Sequence, residues 1–375
     1  MYKNVMIFFI GILCIFFYSC KDDNEIIEIE TRNFYMGFTP WPYDATQSAV
    51  DWTYSTIFSH GDIVSQHIEE GVPWQESYDS TAFSSNFMNE IQTRTIKNYE
   101  NHSIVLSLNP LNMQRNSLAP YRGESEAMDL QSPWDTLQFN SSQVLIAYEN
   151  YVKRMIQYVQ PDYLIIGIEV NLLLRNNPKQ WDAYVELHSY VYSKIKEIYP
   201  HLPIGVSVFS VPYFPEWSNE DNLQVQLDGL KDINPYIDFL AYSVHPFMSG
   251  LLAESFPDDY FKRLFSYTTK PIAISESSYP AQLWQTIKEP ILTWNGTQDK
   301  QESFLYKMLE AAHQQNALFV IWFTVRDYDA LWNGVMNQDP IGLIWRDTGL
   351  FDEQGNKRKS CNTWLKWLQK EYSSK

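Results

Sequence analysis

Cysteine is nearly missing from this chain: three residues in 375, at positions 14, 20 and 361. Two lie in the N-terminal segment, so Cys361 stands alone in the body of the chain, and neither a disulfide nor a cysteine-based metal site is expected there. Positive charge is also scarce. Against 45 Asp and Glu stand 28 Lys and Arg, a formal net charge of −17. That balance excludes nucleic acid and an acidic membrane surface as partners, because both need basic patches. The N-terminal apolar stretch, VMIFFIGILCIFFY, has 14 residues, short of the roughly 20 that a membrane-spanning helix needs. No H-x-H or H-E-x-x-H spacing draws the seven histidines together; His60 and His67 are seven residues apart. No metal site and no cofactor are implied. There is no G-x-S-x-G elbow, and GFTPWPYD after the first strand candidate is not a glycine-rich phosphate loop.

The N-terminus is rich in targeting features. MYKN carries one positive charge, the apolar stretch follows, and the pattern fits a signal peptide. Tyr18-Ser19-Cys20 resembles a bacterial lipoprotein signal, which implies removal of residues 1–19 and lipidation of Cys20. Lys21-Asp22-Asp23 resembles the acidic export signal of surface lipoproteins in some Gram-negative bacteria, and residues 20–32 read as an acidic tether. The expectation is a lipid-anchored extracytoplasmic protein at the outer membrane and cell surface, touching the membrane through its anchor only.

From residue 33 onward, short β-type runs alternate with longer amphipathic stretches. Strand candidates are residues 34–38, 62–68, 103–109, 163–169, 203–209, 237–243, 271–277 and 318–324. Most are continuous apolar runs, as parallel strands covered on both faces require. Helical stretches lie between them at 87–101, 142–159, 181–199 and 301–315, with a last one at 361–372. In the third, Tyr184, Leu187, Val191 and Ile195 form one apolar face. Eight strands in strict alternation with helices predict an α/β fold, a (β/α)8 TIM barrel over residues 33–375. Two insertions interrupt the alternation, at 110–141 and 325–359. The 13 Trp, 25 Tyr and 21 Phe suit stacking on sugar rings, although aromatics also fill cores.

Active residues of such a barrel come from the C-terminal ends of its strands. The run DYLIIGIEVNLLL (162–174) carries one carboxylate, Glu169, and a charge there is costly unless something offsets its desolvation. Glu276 closes the seventh strand candidate in AISESSYP. Glutamates ending strands four and seven resemble the large clan of retaining glycoside hydrolases that includes endo-galactanases, mannanases and cellulases. IIGIEVN resembles its acid/base motif and PIAISESSYP its nucleophile motif. DFLAYSVHPF resembles the segment that places an aromatic or His beside the nucleophile, and IWFT the strand that supplies a tryptophan floor. One departure is clear: the clan usually has Asn before the acid/base, and here Ile168 stands in that place.

The resemblance implies Glu169 as acid/base and Glu276 as nucleophile. It implies a polysaccharide or oligosaccharide substrate, β-linked and cleaved within the chain by a retaining mechanism. A surface glycan-binding barrel that has lost catalysis is the alternative. The residues support the catalytic pairing physically: apolar neighbours would keep a proton on Glu169. Hydroxyls of Ser275 and Ser277, with Tyr242 or His245, would hold Glu276 ionised. Expected substrate contacts are Trp41, His67 and Trp74 near the first two strands, Asn171 standing in for the missing Asn, Tyr242 and His245 on strand six, and Trp322 as platform. Each has a plainer role open to it: loop packing for Trp41, a turn for Asn171, a buried hydrogen bond for His245, core for Trp322. Glu69 and Glu70 read as surface charge, and Asp327 and Asp329 could bind sugar hydroxyls or pair with Arg326, the pairing being the leading reading.

Overall fold

The structure is a computed structural model, and it describes residues 31–95, 101–218, 222–249, 256–285 and 293–373. The expected signal segment, Cys20 and most of the tether lie outside the described residues. Eight parallel strands close into a barrel: β1 (Tyr35–Phe38), β2 (Ile63–Ile68), β3 (Ser103–Leu108), β4 (Tyr163–Ile165), β5 (Ile204–Phe209), β6 (Phe239–Val244), β7 (Ile272–Ser277) and β8 (Phe319–Trp322). Their order around the barrel is their order in the chain, and β8 closes on β1 with Phe319 opposite Tyr35 and Trp322 opposite Phe38. This is the (β/α)8 fold that the alternation predicts.

A helix follows each strand: α1 (Gln47–His60), α2 (Ser85–Thr95), α3 (Ser142–Val159), α4 (Trp181–Ile198), α5 (Leu223–Ile233), α6 (Tyr260–Phe265), α7 (Gln298–Gln314) and α8 (Lys359–Leu368). Several starts have a local cause. Thr46 and Thr297 each offer a side-chain oxygen to the backbone N–H three residues on, capping α1 and α7. Such a cap contributes about 1 kcal/mol by satisfying a donor the helix leaves open. Among the described residues no helix is long and apolar enough to cross a membrane.

The barrel is filled by side chains. Ile63, Val105, Ile165, Ile168, Phe239, Ala241, Ala273, Phe319 and Ile321 form one buried apolar plug. Gly37 of β1 is required beside it, because a Cβ there would lie 1.9 Å from the Ile63 carbonyl oxygen. The plug sets which parity of each strand faces inward. On β2, inward Ile63 implies inward His67, and the same two-residue step continues to Glu69. On β6 the inward line runs Phe239, Ala241, Ser243, His245.

Two strands break this parity. On β7 the register slips, so that Tyr242 pairs with Ile274 but Ser243 pairs with Glu276, leaving Ser275 as a bulge. β4 stops at Ile165, short of the expected 169, and past its end Ile168 joins Ile165 in the plug, with Glu169 next at φ +52°. Bulges re-aim side chains near active sites at a local cost in pairing. Here the β7 bulge and the left-handed turn after β4 each deliver a glutamate to the barrel mouth.

Candidate active site

A cavity of about 280 Å³ opens at the C-terminal ends of the strands. Its lining includes Thr39, Pro40 and Trp41 after β1; His67, Ile68, Glu69 and Glu70 at the end of β2; Glu90 and Arg94 on α2; and Met113, Arg115 and Arg122 after β3. Glu169, His245, Glu276, Phe323 and Trp345 complete it. Both insertions therefore contribute to the wall.

Three carboxyls, one guanidinium and one imidazole meet there. Arg115 Nη2 pairs with Glu69 Oε1 in a very short contact and lies 3.2 Å from Glu169 Oε2. His67 Nε2 is 3.0 Å from Glu69 Oε2, and its Nδ1 is 3.8 Å from Glu276 Oε1. Asn109 donates to Glu69 Oε1 at 3.1 Å and accepts from the Ile168 N–H at 3.2 Å, tying β2 to the end of β4. Ser207 accepts the Glu169 N–H at 2.9 Å, and Ser243 donates to Glu276 Oε2 at 3.2 Å. Arg115 and Glu169 both have left-handed backbones, φ +50° and +52°. Such residues cost on the order of 1–3 kcal/mol each and persist where surroundings enforce them.

The electrostatics separate these groups. Burial pushes the Glu169 carboxyl up to about 7; Arg115 pulls it down in part, while the charges of Glu276 and Glu69 push it further up. Burial also raises Glu276, with His67, Arg115 and the Ser243 hydroxyl favouring its charged form and Glu69 opposing it. For Glu69 burial is outweighed by Arg115, His67 and Asn109, which hold it down at about 2. His67 is buried too, yet Glu276 and Glu69 push it up to about 9. Among the described residues His245 has no such partner: burial drives it down to about 3, and its Nδ1 meets the Ser278 hydroxyl at 2.7 Å. A carboxyl that keeps its proton near neutrality thus sits opposite one beside a protonated imidazole.

Of the residues singled out in the sequence, Glu169, Glu276, Trp41, His67 and His245 line this cavity. Four others lie elsewhere. Trp74 is fully buried, donates to the Ala119 carbonyl at 2.9 Å and stacks on Trp134. Tyr242 is on the outward parity of β6 and donates to the Leu264 carbonyl at 3.1 Å. Trp322 has the outward parity of β8 and bonds the Thr348 carbonyl at 2.9 Å, so the next residue, Phe323, faces the cavity instead. Asn171 brackets the Phe209 backbone, accepting from its N–H at 2.7 Å and donating to its carbonyl at 3.0 Å, and does not replace the missing Asn.

Other expectations are corrected as well. Ser275 and Ser277 turn to the carbonyls of Tyr242 and Ile321 rather than to Glu276. Glu69 is no surface charge, being the centre of a half-buried network, whereas Glu70 is exposed at the cavity. Asp327 pairs with Arg358 and Asp329 with Arg346, while Arg326 stacks 3.7 Å over Tyr43. Arg115, Asn109, Ser243, Phe323 and Trp345 were missed. Parity would have found Ser243 and Asn109; nothing local marks Arg115 or Trp345, which lie inside irregular insertions.

No family model matches the sequence, and comparison with curated proteins returns no match. Solved structures do resemble it. An exo-β-1,4-mannosidase from Opitutaceae bacterium strain TAV5 superposes with TM-score 0.59 at 13% identity over 91% of this chain. The chain spans 60% of that protein's length. The GH53 catalytic domain of Ignisphaera aggregans gives 0.56 at 15% identity, covering 91% of this chain and 97% of that one. Xylanase 10B from Thermotoga maritima gives 0.55 at 13% identity, covering 89% and 94%. At such identities the likeness establishes the (β/α)8 barrel. It is a likeness to glycoside-cleaving enzymes of the kind that the two glutamate motifs resemble.

Proposed function

We propose that this chain is a retaining glycoside hydrolase, with Glu169 as acid/base and Glu276 as nucleophile. The observation that carries the reading is the pairing of a carboxyl poised near pH 7 with a second one beside an imidazolium, both at the mouth of a (β/α)8 barrel. Glu169 gives its proton to the departing glycosidic oxygen as Glu276 attacks the anomeric carbon. The C–O bond to the leaving group breaks, a glycosyl ester to Glu276 forms, and Glu169, now ionised, takes a proton from the water that cleaves the ester. Trp41, Phe323 and Trp345 offer ring faces to the sugar. The mannosidase and xylanase likenesses support a β-linked oligosaccharide or polysaccharide as substrate.

A panel of β-linked polysaccharides, read by released reducing ends, tests this against Glu276→Gln. Hydrolysis by the wild type and a loss on the order of 10⁴-fold in the variant is the expected result. Internal cleavage yields a spread of oligosaccharides, which is the outcome we propose; release of single sugars or disaccharides alone overturns the internal mode. Ile168 favours the binding-only alternative, because its side chain is in the plug and offers no amide to a sugar hydroxyl. Glycan binding with no product from any substrate would establish that alternative. We also propose anchoring at the cell surface through Cys20, checked by lipid-probe labelling that disappears in Cys20→Ser.

A further inference from the structure

Glu69 is in direct contact with the partners of both catalytic carboxyls. One of its oxygens pairs with Arg115, whose same nitrogen reaches Glu169 at 3.2 Å. Its other oxygen is 3.0 Å from His67 Nε2, and the far side of that ring faces Glu276 at 3.8 Å. An arginine left alone beside a carboxylate lowers its pKa by about 1–3 units, which would strip Glu169 of the proton a general acid needs. A ring hydrogen-bonded to a carboxylate at one nitrogen and facing a second carboxylate 3.8 Å from the other is favoured by both when it is doubly protonated. From this geometry we infer that Glu69 is a positioning residue that sets the opposed protonation states of the catalytic pair, by neutralising Arg115 and by holding His67 as an imidazolium.

The inference rests on the hydrolase reading above. The charged groups facing Glu169 are Arg115 from the β3 insertion, Glu276 from β7, and Glu69 and His67 from β2; those facing His67 are Glu276, Glu69 and Arg115. Glu69 is itself anchored by Asn109, so its position does not depend on substrate.

Two measurements test it. In Glu69→Gln the alkaline limb of kcat/KM moves down by about one pH unit, since Arg115 then acts on Glu169 alone. Adding Arg115→Met moves the limb back up, and Glu69→Asp, which keeps the charge, leaves it nearer the wild-type position than Gln does. A structural role would reduce the amount of active protein and leave the limb in place; that result overturns the inference, as does a double variant with no return. Separately, NMR of labelled histidine follows His67, assigned by its loss in His67→Gln. In the wild type the ring stays protonated above pH 7, and in Glu69→Gln its midpoint falls by at least about one unit. A wild-type midpoint near that of free histidine, or no change in the variant, overturns the inference. If the wild type cleaves no glycoside the hydrolase reading fails, and the His67 titration still judges the charge network independently.

Discussion

The two sides of the cavity are built from different materials. From β2 round to β4 the wall is ionic: His67, Glu69, Arg115 and Glu169 linked in a chain of contacts. From β6 round to β1 its described lining is aromatic and neutral apart from Glu276: His245 and Trp345 with ring centroids 5.9 Å apart, Phe323 and Trp41 at 5.7 Å. The ionic side draws its strength from burial, since a charge pair interacts several times more strongly in a partly dry site than in water. The aromatic side works through area and is indifferent to pH. On the proposed hydrolase reading the proton donor lies on the first wall and the rings that face the sugar on the second, so substitutions should separate them.

The sharpest separation is expected at Glu169. Glu169→Ala should lower kcat on natural glycosides by about 10²–10⁴-fold. On a dinitrophenyl glycoside, whose leaving group departs without a proton, the first step should be far less affected. Equal losses on both substrates would place Glu169 outside the acid role and break the division between the walls.

The alkaline limb of the pH response belongs to the ionic wall. With Glu169 at about 7, kcat/KM should fall above that pH as the acid loses its proton. Stability follows the same groups. Glu169 is raised from 4.5, so its contribution is complete below that value and is lost as pH rises through about 7. His67 is raised from 6.5, and its contribution disappears as pH rises through about 9. Glu69 is lowered, so its contribution is present above 4.5 and is lost as pH falls toward about 2. Tm should therefore be highest near pH 5 and decline toward pH 9. A Tm that rises over that interval would contradict these assignments.

On the aromatic wall the effects are smaller and of another kind. Trp345→Ala should raise KM about 3- to 10-fold, the equivalent of the 0.5–1.5 kcal/mol that a ring stack contributes, and leave the alkaline limb where it was. Movement of the limb would mean that the two walls are coupled.

How much of this was legible in the sequence depends on what carries each residue. Strands buried on both faces leave continuous apolar runs, so all eight were visible, and their number and alternation gave the barrel. Glu169 and Glu276 were visible as lone charges at the ends of such runs. Their surroundings were harder to read, because both follow a break in strand parity that local composition does not show. The serines beside Glu276 in the chain turn away from it, while Ser243, one strand over, faces it. Arg115 comes from an irregular insertion, and no period places an insertion residue in space. Trp322 and Tyr242 misled because residue type suggested a sugar contact, whereas parity sent both outward.

The smallest predicted effect tests that parity directly. Tyr242 and Ser243 are adjacent on β6, yet the tyrosine hydroxyl bonds only the Leu264 carbonyl behind the barrel and the serine hydroxyl bonds Glu276 within it. Tyr242→Phe removes one buried hydrogen bond and no volume from the cavity. It should cost about 1 kcal/mol of stability, seen as a small drop in the denaturant midpoint, with kcat, KM and the pH limbs unchanged. A kinetic change in Tyr242→Phe would mean that the ring reaches the site after all. The neutral wall would then contain a second group, besides Ser243, acting on Glu276, and the contrast between the two walls would have to be redrawn around β6.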